Sequence, residues 1–231
     1  MLKLDREGEE FVFENDWDVL IPVEWSVTPE RGLTVTVIPR LQTVGKRFLK
    51  LFSDRPFSDE AIGWLWGEIA PTGEAWGYLR TRYSTRHCRI LRFPEGQTPT
   101  PPLPGGRELT AADEKNNQTT FDIAASVEDG RLCFGQIDGG RVVSVAVTHA
   151  SPDERDPGGT LEIGVETIPA ARRRGYAASC LSGVTKMILA HGLIPEYRCT
   201  YSNAASARTA RAAGYVQVGE ACSLLMRKRG R

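Results

Sequence analysis

Three consecutive arginines stand directly before a glycine at the start of a predicted helix. They are Arg172, Arg173 and Arg174, and Gly175 follows them. A helix N-terminus already carries partial positive charge, so cations there are unfavourable unless an anion balances them. The first N–H groups of a helix lack intrahelical partners, and glycine lets a large anion come close to the main chain. The turn that ends at Ala177 is therefore predicted to cradle a pyrophosphate.

The elements on either side of this turn must position it. The segment Leu161–Val165 alternates apolar residues with glutamate or glycine, which is typical of a strand. Pro169 ends the strand because proline has no N–H for a ladder. From Ala177 the apolar residues recur at helical spacing up to Gly192, a residue type that favours a helix C-terminus. The pattern predicts a strand, a tight turn and a helix.

Two motifs in this part of the chain resemble a known family. Arg172, Gly175 and Ala177 form the spacing R-x-x-G-x-A, which resembles the acyl-CoA-binding motif of the GNAT superfamily of N-acetyltransferases. The second similarity is Asn203, placed to cap a short helix, with Gly214-Tyr215 where that helix ends. Both motifs in this order, with a strand between them, are more specific than either motif alone.

The resemblance covers residues 107–231 and implies an α+β fold with a mixed sheet. It implies that acyl-CoA binds in the gap between two splayed parallel strands, here Leu161–Thr167 and Tyr197–Tyr201. The residues that it implies for the cofactor are Glu166, Thr167, Ile168, Arg172, Arg173, Arg174, Gly175, Tyr176, Ala177, Asn203 and Ser206. The pantetheine arm would pair with the main chain near Glu166, Thr167 and Ile168, where one N–H group would hold the developing oxyanion.

The implied reaction is transfer of an acetyl group from acetyl-CoA to a primary amine by direct attack in a ternary complex. A lysine-like amine has a pKa near 10.4, so its deprotonation at pH 7 adds about 4–5 kcal/mol to the barrier. A carboxylate is the usual base, and Glu162 and Glu166 are the candidates, on one strand face unless a bulge intervenes. The choice between them stays open. Either side chain has the alternative of facing solvent or pairing with an arginine.

One position departs from the family pattern. Many GNAT enzymes carry a tyrosine seven residues after the asparagine, where it protonates the departing thiolate, and this position is Ala210. Tyr201, Ser202 or Ser206 is a candidate substitute. Solvent is another, because a thiol pKa near 8.5 makes thiolate a fair leaving group. A CoA-binding sensor or pseudoenzyme is therefore the second hypothesis for function.

The N-terminal part of the chain, residues 1–96, carries no motif of its own. All five tryptophans lie there, and they are predicted to be core residues because aromatic side chains bury large areas. Strands are predicted at Val19–Val23 and Leu33–Ile38, and Ser58 is a good N-cap for a helix. The arginine-rich segment from Gly77 to Phe93 is predicted to be a solvated strand or hairpin face.

A connector separates this part from the rest. Residues 97–106 contain four prolines and two glycines, which favour an extended linker. We predict a smaller α+β domain at 1–96 that forms a wall of the acceptor site, and an acyltransferase domain at 107–231. Further strands are predicted at Leu132–Ile137, Val142–Val147, Val216–Val218 and Ser223–Met226.

The amino-acid composition indicates which classes of partner and which cellular compartment to expect. The formal net charge is zero, so no global field favours nucleic acid or an anionic membrane, and a third hypothesis of nucleic-acid association is disfavoured. No apolar run reaches the roughly 18 residues of a spanning helix, and no signal-peptide core is evident. The five cysteines are scattered, so we expect no metal site and a reducing cytoplasm. The expected partner is a small-molecule or peptide amine; a homodimer stays open.

Overall fold

The computed structural model of the chain describes residues 1–6 and 19–228, with the side chains of 81–84 left outside that description. The core position predicted for Trp17 lies outside the described residues. Both helices and strands are present, so the predicted mixed α+β class with a mixed sheet is confirmed.

The elements follow one another in the order that the sequence patterns indicate for most of the chain. The strands are β1 (Leu2–Leu4), β2 (Val19–Leu20), β3 (Val23–Thr28), β4 (Gly32–Val37), β5 (Tyr78–Arg92), β6 (Gly106–Glu108), β7 (Cys133–Asp138), β8 (Arg141–Thr148), β9 (Thr160–Thr167), β10 (Ile194–Thr200) and β11 (Val216–Lys228). The α-helices are α1 (Gln42–Leu51), α2 (Asp59–Ala75), α3 (Ile123–Glu128), α4 (Tyr176–Ala190) and α5 (Ala204–Ala212).

The described chain divides into two compact units. The first contains Met1–Arg89 and Val218–Arg231, and the second contains Ile90–Gln217. The domain division that the sequence predicts, with its linker at 97–106, stays a prediction. The role of the N-terminal part as a wall of the acceptor site also stays a prediction.

The first unit has an aromatic core between its strands and helices. Trp25 on β3 and Phe48 on α1 are both buried, and their ring centroids are 5.5 Å apart. Trp66 on α2 is buried in the same cluster, and Trp64 and Trp76 pack against it while partly buried. The prediction that the tryptophans are core residues is therefore confirmed for the four that the structure describes.

One sequence prediction about strands needs correction. The predicted pair Val216–Val218 and Ser223–Met226 is one continuous strand, β11, which pairs with β3. Gly219 lies inside it because a Cβ atom there would collide with the carbonyl oxygen of Val27, so this glycine permits close approach and makes no turn. The segment from Gly77 to Phe93 contains the strand β5, so the strand of the two predicted alternatives is present. Its Arg80 and Arg86 are exposed, while Tyr78, Ile90 and Leu91 are buried.

The second unit is a sheet with apolar clusters on both faces. Its strands lie in the order β10-β9-β8-β7-β6, with β9 parallel to β10 and antiparallel to β8. Leu161 and Ile163 of β9 pack in one cluster with Leu181 and Val184 of α4. Ile123 of α3 belongs to the cluster on the opposite face. The sheet therefore presents the alternate residues of β9 to two different environments.

The parallel strands β9 and β10 part before they end. Their pairing runs from Ile194 opposite Thr160 to Tyr197 opposite Ile163. Beyond that point β9 continues to Thr167 and β10 continues to Thr200, while the register between them has ended. The gap between splayed parallel strands that the family resemblance implied is therefore present.

Candidate functional site

One cleft lies between the parting ends of β9 and β10 and the helices that follow them. Its volume is about 680 Å³. Most of the residues predicted for the cofactor line it: Glu166, Thr167, Arg172, Arg173, Gly175, Tyr176, Ala177, Asn203 and Ser206. Four predicted site residues lie outside this lining, namely Glu162, Ile168, Arg174 and Tyr201.

The N-terminus of α4 opens toward this cleft. Gly175 is the N-cap residue with a φ of 80°, and no described side chain caps the helix. Arg173 is also left-handed, with a φ of 64°, which is uncommon for a residue other than glycine and costs about 1 kcal/mol. The first N–H groups of a helix have no intrahelical partner, so those of Tyr176 and Ala177 remain available to a ligand. A turn with two left-handed residues beside free N–H groups suits an anion.

The three arginines of the turn have different surroundings. The Nη1 atom of Arg174 lies 2.8 Å from Oδ2 of Asp138, so this cation is paired within the protein. Arg172 donates from Nε to the main-chain oxygen of Thr167 at 3.2 Å. The exposed guanidinium of Arg173 makes no hydrogen bond or ion pair with any residue that the structure describes. Arg173 is therefore the cation of the three that is most available to an anion.

The N-terminus of α5 borders the same cleft but is closed. Asn203 accepts a hydrogen bond at Oδ1 from the main-chain N–H of Ser206 at 3.0 Å, so its predicted capping role is confirmed. The Ser206 hydroxyl is hydrogen-bonded to the hydroxyl of Tyr197, with 2.6 Å between the oxygens. A ligand in the cleft would meet the side chains of this helix start, while its capped N–H is already satisfied.

The ladder of β9 decides which main-chain groups face the gap. Ile168 donates its N–H to β8, and the carbonyl oxygen of Glu162 accepts from the same side. Since main-chain groups alternate along an antiparallel ladder, those of Glu166 also point to β8, whereas those of Val165 and Thr167 point to the gap. Of the three predicted pantetheine partners, Thr167 is the one whose main-chain groups point to the gap. The N–H of Ile168 already donates to the carbonyl oxygen of Val143 on β8.

Glu166 is the carboxylate that borders the cleft. Its Oε2 accepts two hydrogen bonds from Thr120, from the N–H at 2.8 Å and from the hydroxyl at 2.7 Å. Its Oε1 makes no hydrogen bond with a residue that the structure describes. One oxygen thus fixes the side chain and the other remains for a ligand.

Glu162 lies on the same face of β9 but has other partners. The register with β8 shows no shift from Ile163 to Thr167, so no bulge separates the faces of the two glutamates. Glu162 is 3.4 Å from Nε of Arg198 and 3.6 Å from Nδ1 of His149. The predicted alternative, in which a glutamate pairs with an arginine, holds for Glu162.

Thr120 and Tyr197 are among the residues of the site that sequence reasoning missed. Thr120 holds Glu166 from a loop 46 positions earlier, and Tyr197 lines the cleft from β10. The one available signal was the position of Tyr197 on a strand predicted to border the gap. Tyr201, one of the candidate substitutes for the missing acid, accepts a hydrogen bond from Gln217 at 3.1 Å. Ala210 is fully buried in the core.

Comparison with known proteins agrees with this geometry. Residues 120–221 match the family model of the GNAT acetyltransferases. This part of the chain is a GNAT acetyltransferase domain. The matched range contains every residue that lines the cleft. Comparison with curated proteins gives no match.

Comparison with solved structures gives several similar chains. A GNAT-family protein from Novosphingobium aromaticivorans is 23% identical, with a TM-score of 0.53, over 67% of this chain and 69% of that one. A GCN5-related N-acetyltransferase-like protein from Streptococcus suis is 17% identical, with a TM-score of 0.47, over 71% and 68% of the two chains. A GCN5-related N-acetyltransferase from Sphaerobacter thermophilus is 17% identical, with a TM-score of 0.45, over 90% and 78%. The first likeness confirms the predicted GNAT-like fold.

Two further observations concern the described residues as a whole. Within residues 1–6 and 19–228, no helix is both long and apolar enough to cross a bilayer. Over the same described ranges, no group of three or more histidine, cysteine, aspartate and glutamate side chains is arranged to hold a metal ion.

Proposed function

We propose that this chain is an acyl-CoA-dependent N-acyltransferase that transfers acetyl from acetyl-CoA to a primary amine in a ternary complex. The single observation that carries the proposal is the uncapped start of α4, which opens into a cleft that Glu166 also lines. Membership of residues 120–221 in the GNAT acetyltransferases supports acyl transfer in general. The acetyl donor and the amine acceptor, a small molecule or a peptide, are the finer parts of the proposal.

The donor fits the chemistry of the cleft. A nucleotide diphosphate would accept hydrogen bonds from the free N–H groups of Tyr176 and Ala177, with the charge of Arg173 beside them. Hydrogen bonds to a charged group contribute about 1.5–3 kcal/mol each. An amide-containing pantetheine arm would pair with Val165 and Thr167, whose main-chain groups point to the gap, as an added strand does.

Glu166 is the proposed general base. An ammonium acceptor must lose a proton before attack, and uncorrected this adds about 4–5 kcal/mol to the barrier at pH 7. Thr120 fixes one carboxylate oxygen of Glu166, and the other is placed to take that proton. Glu162 lies outside the cleft lining and forms an ion pair with Arg198, so it is the less suitable candidate.

The proposed oxyanion donor is the N–H of Thr167 or of Val165. Both N–H groups point into the gap where β9 has lost its parallel partner, so neither is used by the sheet. A fixed N–H in such a gap stabilises negative charge without reorganisation, which is the basis of oxyanion stabilisation. The thioester carbonyl would be polarised at this position.

The alternative is a CoA-binding sensor or pseudoenzyme. Ala210 is buried and has no proton to donate, and Tyr201 lies outside the cleft lining, which favours this alternative. Acyl transfer and sensing both require CoA binding, so binding alone does not separate them.

Thiol release from acetyl-CoA over a panel of amines tests the proposal. Four of the five cysteines are buried, and burial raises the pKa of Cys180 to about 12, so a thiol reagent gives a low protein background. We expect amine-dependent thiol release that matches the acetylated amine detected by mass spectrometry. CoA binding without release from any amine class would favour the sensor.

A further inference from the structure

The cleft continues past the start of α4 along one face of α5. Helix α4 contributes its first three residues to the lining, whereas α5 contributes residues as far as its last one, Ala212. Four of the α5 residues recur at the spacing i, i+3, i+4 and i+7 and therefore share one face of the helix: Ala205, Arg208, Thr209 and Ala212. At a rise of about 1.5 Å per residue this face is about 10 Å long. The cleft thus holds more of a ligand than the groups that meet the start of α4.

Arg208 is the charged residue of this α5 face. Its side chain is exposed and makes no hydrogen bond or ion pair with any residue in the described ranges. Helix α5 contains no acidic residue, so no carboxylate on the same helix competes for the guanidinium. Arg208 is therefore a cation that lines the cleft and is available to an anionic ligand.

The position of Arg208 separates it from the diphosphate and from the acceptor. Arg172 and Arg173 lie in the turn before the open N–H groups of α4, where the diphosphate is proposed to bind, whereas Arg208 lies on the second turn of the other helix. The proposed acceptor is an ammonium ion before it loses its proton, so a cation repels it, while Glu166 attracts it. A second anionic group of the donor is the partner that suits Arg208.

We propose that Arg208 binds the phosphate monoester on the ribose of CoA, so that the site selects CoA over dephospho-CoA. The inference rests on the proposed CoA site, which acetyl transfer and the sensor alternative share. A phosphate monoester carries a charge of about −1.5 to −2 at pH 7, and a guanidinium matches its oxygens with two parallel N–H donors. The short side chains of Ala205 and Ala212 leave the α5 face open to the adenosine that carries this phosphate.

Calorimetric titration with CoA and with dephospho-CoA tests the assignment, because the two ligands differ in that phosphate alone. The wild-type protein is expected to bind dephospho-CoA about tenfold more weakly than CoA, since exposure weakens the charge pair. Arg208→Gln should weaken CoA binding by about tenfold and change dephospho-CoA binding by less than about twofold. Arg208→Lys keeps the charge and loses the paired donors, so it should retain part of the preference for CoA.

Two arginine variants serve as controls. Arg211 is exposed on the same helix, has no partner among the described side chains and does not line the cleft, so Arg211→Gln should change CoA affinity by less than about twofold. Arg173→Gln should weaken CoA and dephospho-CoA by the same factor, because both ligands carry the diphosphate. Arg208 and Arg211 are surface positions, so urea denaturation should show nearly unchanged stability in their variants.

The outcomes separate this inference from the proposed function. Equal wild-type affinities for CoA and dephospho-CoA would overturn the inference and leave the diphosphate site intact. An equal loss for both ligands in Arg208→Gln, or a larger loss of CoA affinity in Arg211→Gln, would overturn it as well. Selective CoA binding without thiol release from any amine would contradict acetyl transfer and support the inference. Absence of CoA binding to the wild-type protein would overturn both.

Discussion

The helices α4 and α5 begin beside the same cleft, yet a side chain caps the N-terminus of α5 and none caps that of α4. At α5, the Asn203 side chain accepts the hydrogen bond of the Ser206 N–H and closes the turn. At α4, Gly175 occupies the N-cap position, and no described side chain accepts from the first N–H groups. A helix start that the protein itself leaves unsatisfied is a place where an external acceptor can bind.

Two other helices are, like α5, capped by a side chain. Ser58 caps α2 by accepting from Ala61, as the sequence predicted, and Asp122 caps α3 by accepting from Ala125. The helix α1 also lacks a side-chain cap, at Leu41, so what distinguishes α4 is that its open start borders the cleft.

The two glutamates and two of the arginines differ in the same way. Glu162 and Arg174 form ion pairs within the protein, whereas Glu166 keeps one carboxylate oxygen and Arg173 keeps its guanidinium without a partner among the described residues. The groups that the fold leaves open are the ones to which we assign function.

The largest effect on CoA binding is expected when a negative charge is placed at the open start of α4. Gly175→Asp should weaken CoA binding at least about 100-fold, since it removes about two charge-assisted hydrogen bonds and adds repulsion. Calorimetric titration with CoA measures this. Gly192→Asp is the control, because Gly192 is also left-handed, has open space around its Cβ position and lies just past the other end of α4.

Gly175→Ala separates backbone strain from charge at the same position. A Cβ atom there would lie 3.5 Å from Cδ1 of Leu103, an ordinary contact, so the added atom has room. The left-handed φ still costs about 1–2 kcal/mol for alanine. If the Asp variant binds CoA as well as the Ala variant does, charge at this turn is not what the ligand recognises.

The second effect contrasts the two carboxylates. Glu166→Gln should lower kcat by about 100-fold and remove the acidic limb of the pH–rate profile, because the general base is lost. Glu162→Gln keeps that base and should lower kcat less than fivefold. A steady-state pH profile of both variants decides the assignment. A larger loss in the Glu162 variant would move the base to that position.

The third effect contrasts two arginines of the turn. Arg173→Gln should weaken CoA binding by about tenfold, equivalent to about 1.4 kcal/mol, because its charge is free to pair with phosphate. Arg174→Gln should weaken binding by about twofold or less, because this guanidinium already pairs with Asp138. Titrations at low and high salt provide the check, since the Arg173 contribution should shrink with ionic strength. The reverse ranking would contradict the assignment.

The smallest effect concerns the closed helix. Asn203→Ala removes a cap and should lower the free energy of unfolding by about 1 kcal/mol, as measured by urea denaturation. CoA affinity should change less than threefold, since the α5 start is satisfied without ligand. A loss of CoA affinity as large as that of Gly175→Asp would show that α5, and not α4, receives the phosphates.

Local patterns accounted for much of the second unit. The start of α4 near Tyr176 and the cap at Asn203 follow from spacing within a few residues, where turn and cap chemistry acts. The gap between splayed strands was implied by the family resemblance. Gly219 misled the strand prediction, because a glycine that permits close approach to β3 resembles one that makes a turn.

Long-range pairing limited the prediction of the site. Thr120 fixes Glu166 across 46 positions, and no spacing in the sequence encodes that contact. The pairing of Ile168 with β8 likewise depends on register, which decides the direction of every main-chain group on β9. Sequence patterns therefore identified the residue types of the site, and the fold selected among them.

One titration tests the central claim that the open start of α4 binds a nucleotide diphosphate. Calorimetry would compare CoA with pantetheine, which has the same arm and lacks the diphosphate together with the phosphorylated adenosine beyond it. We predict that pantetheine binds the wild-type protein at least about 100-fold more weakly than CoA, from the loss of about two charge-assisted hydrogen bonds. Equal affinities for the two ligands would contradict the account.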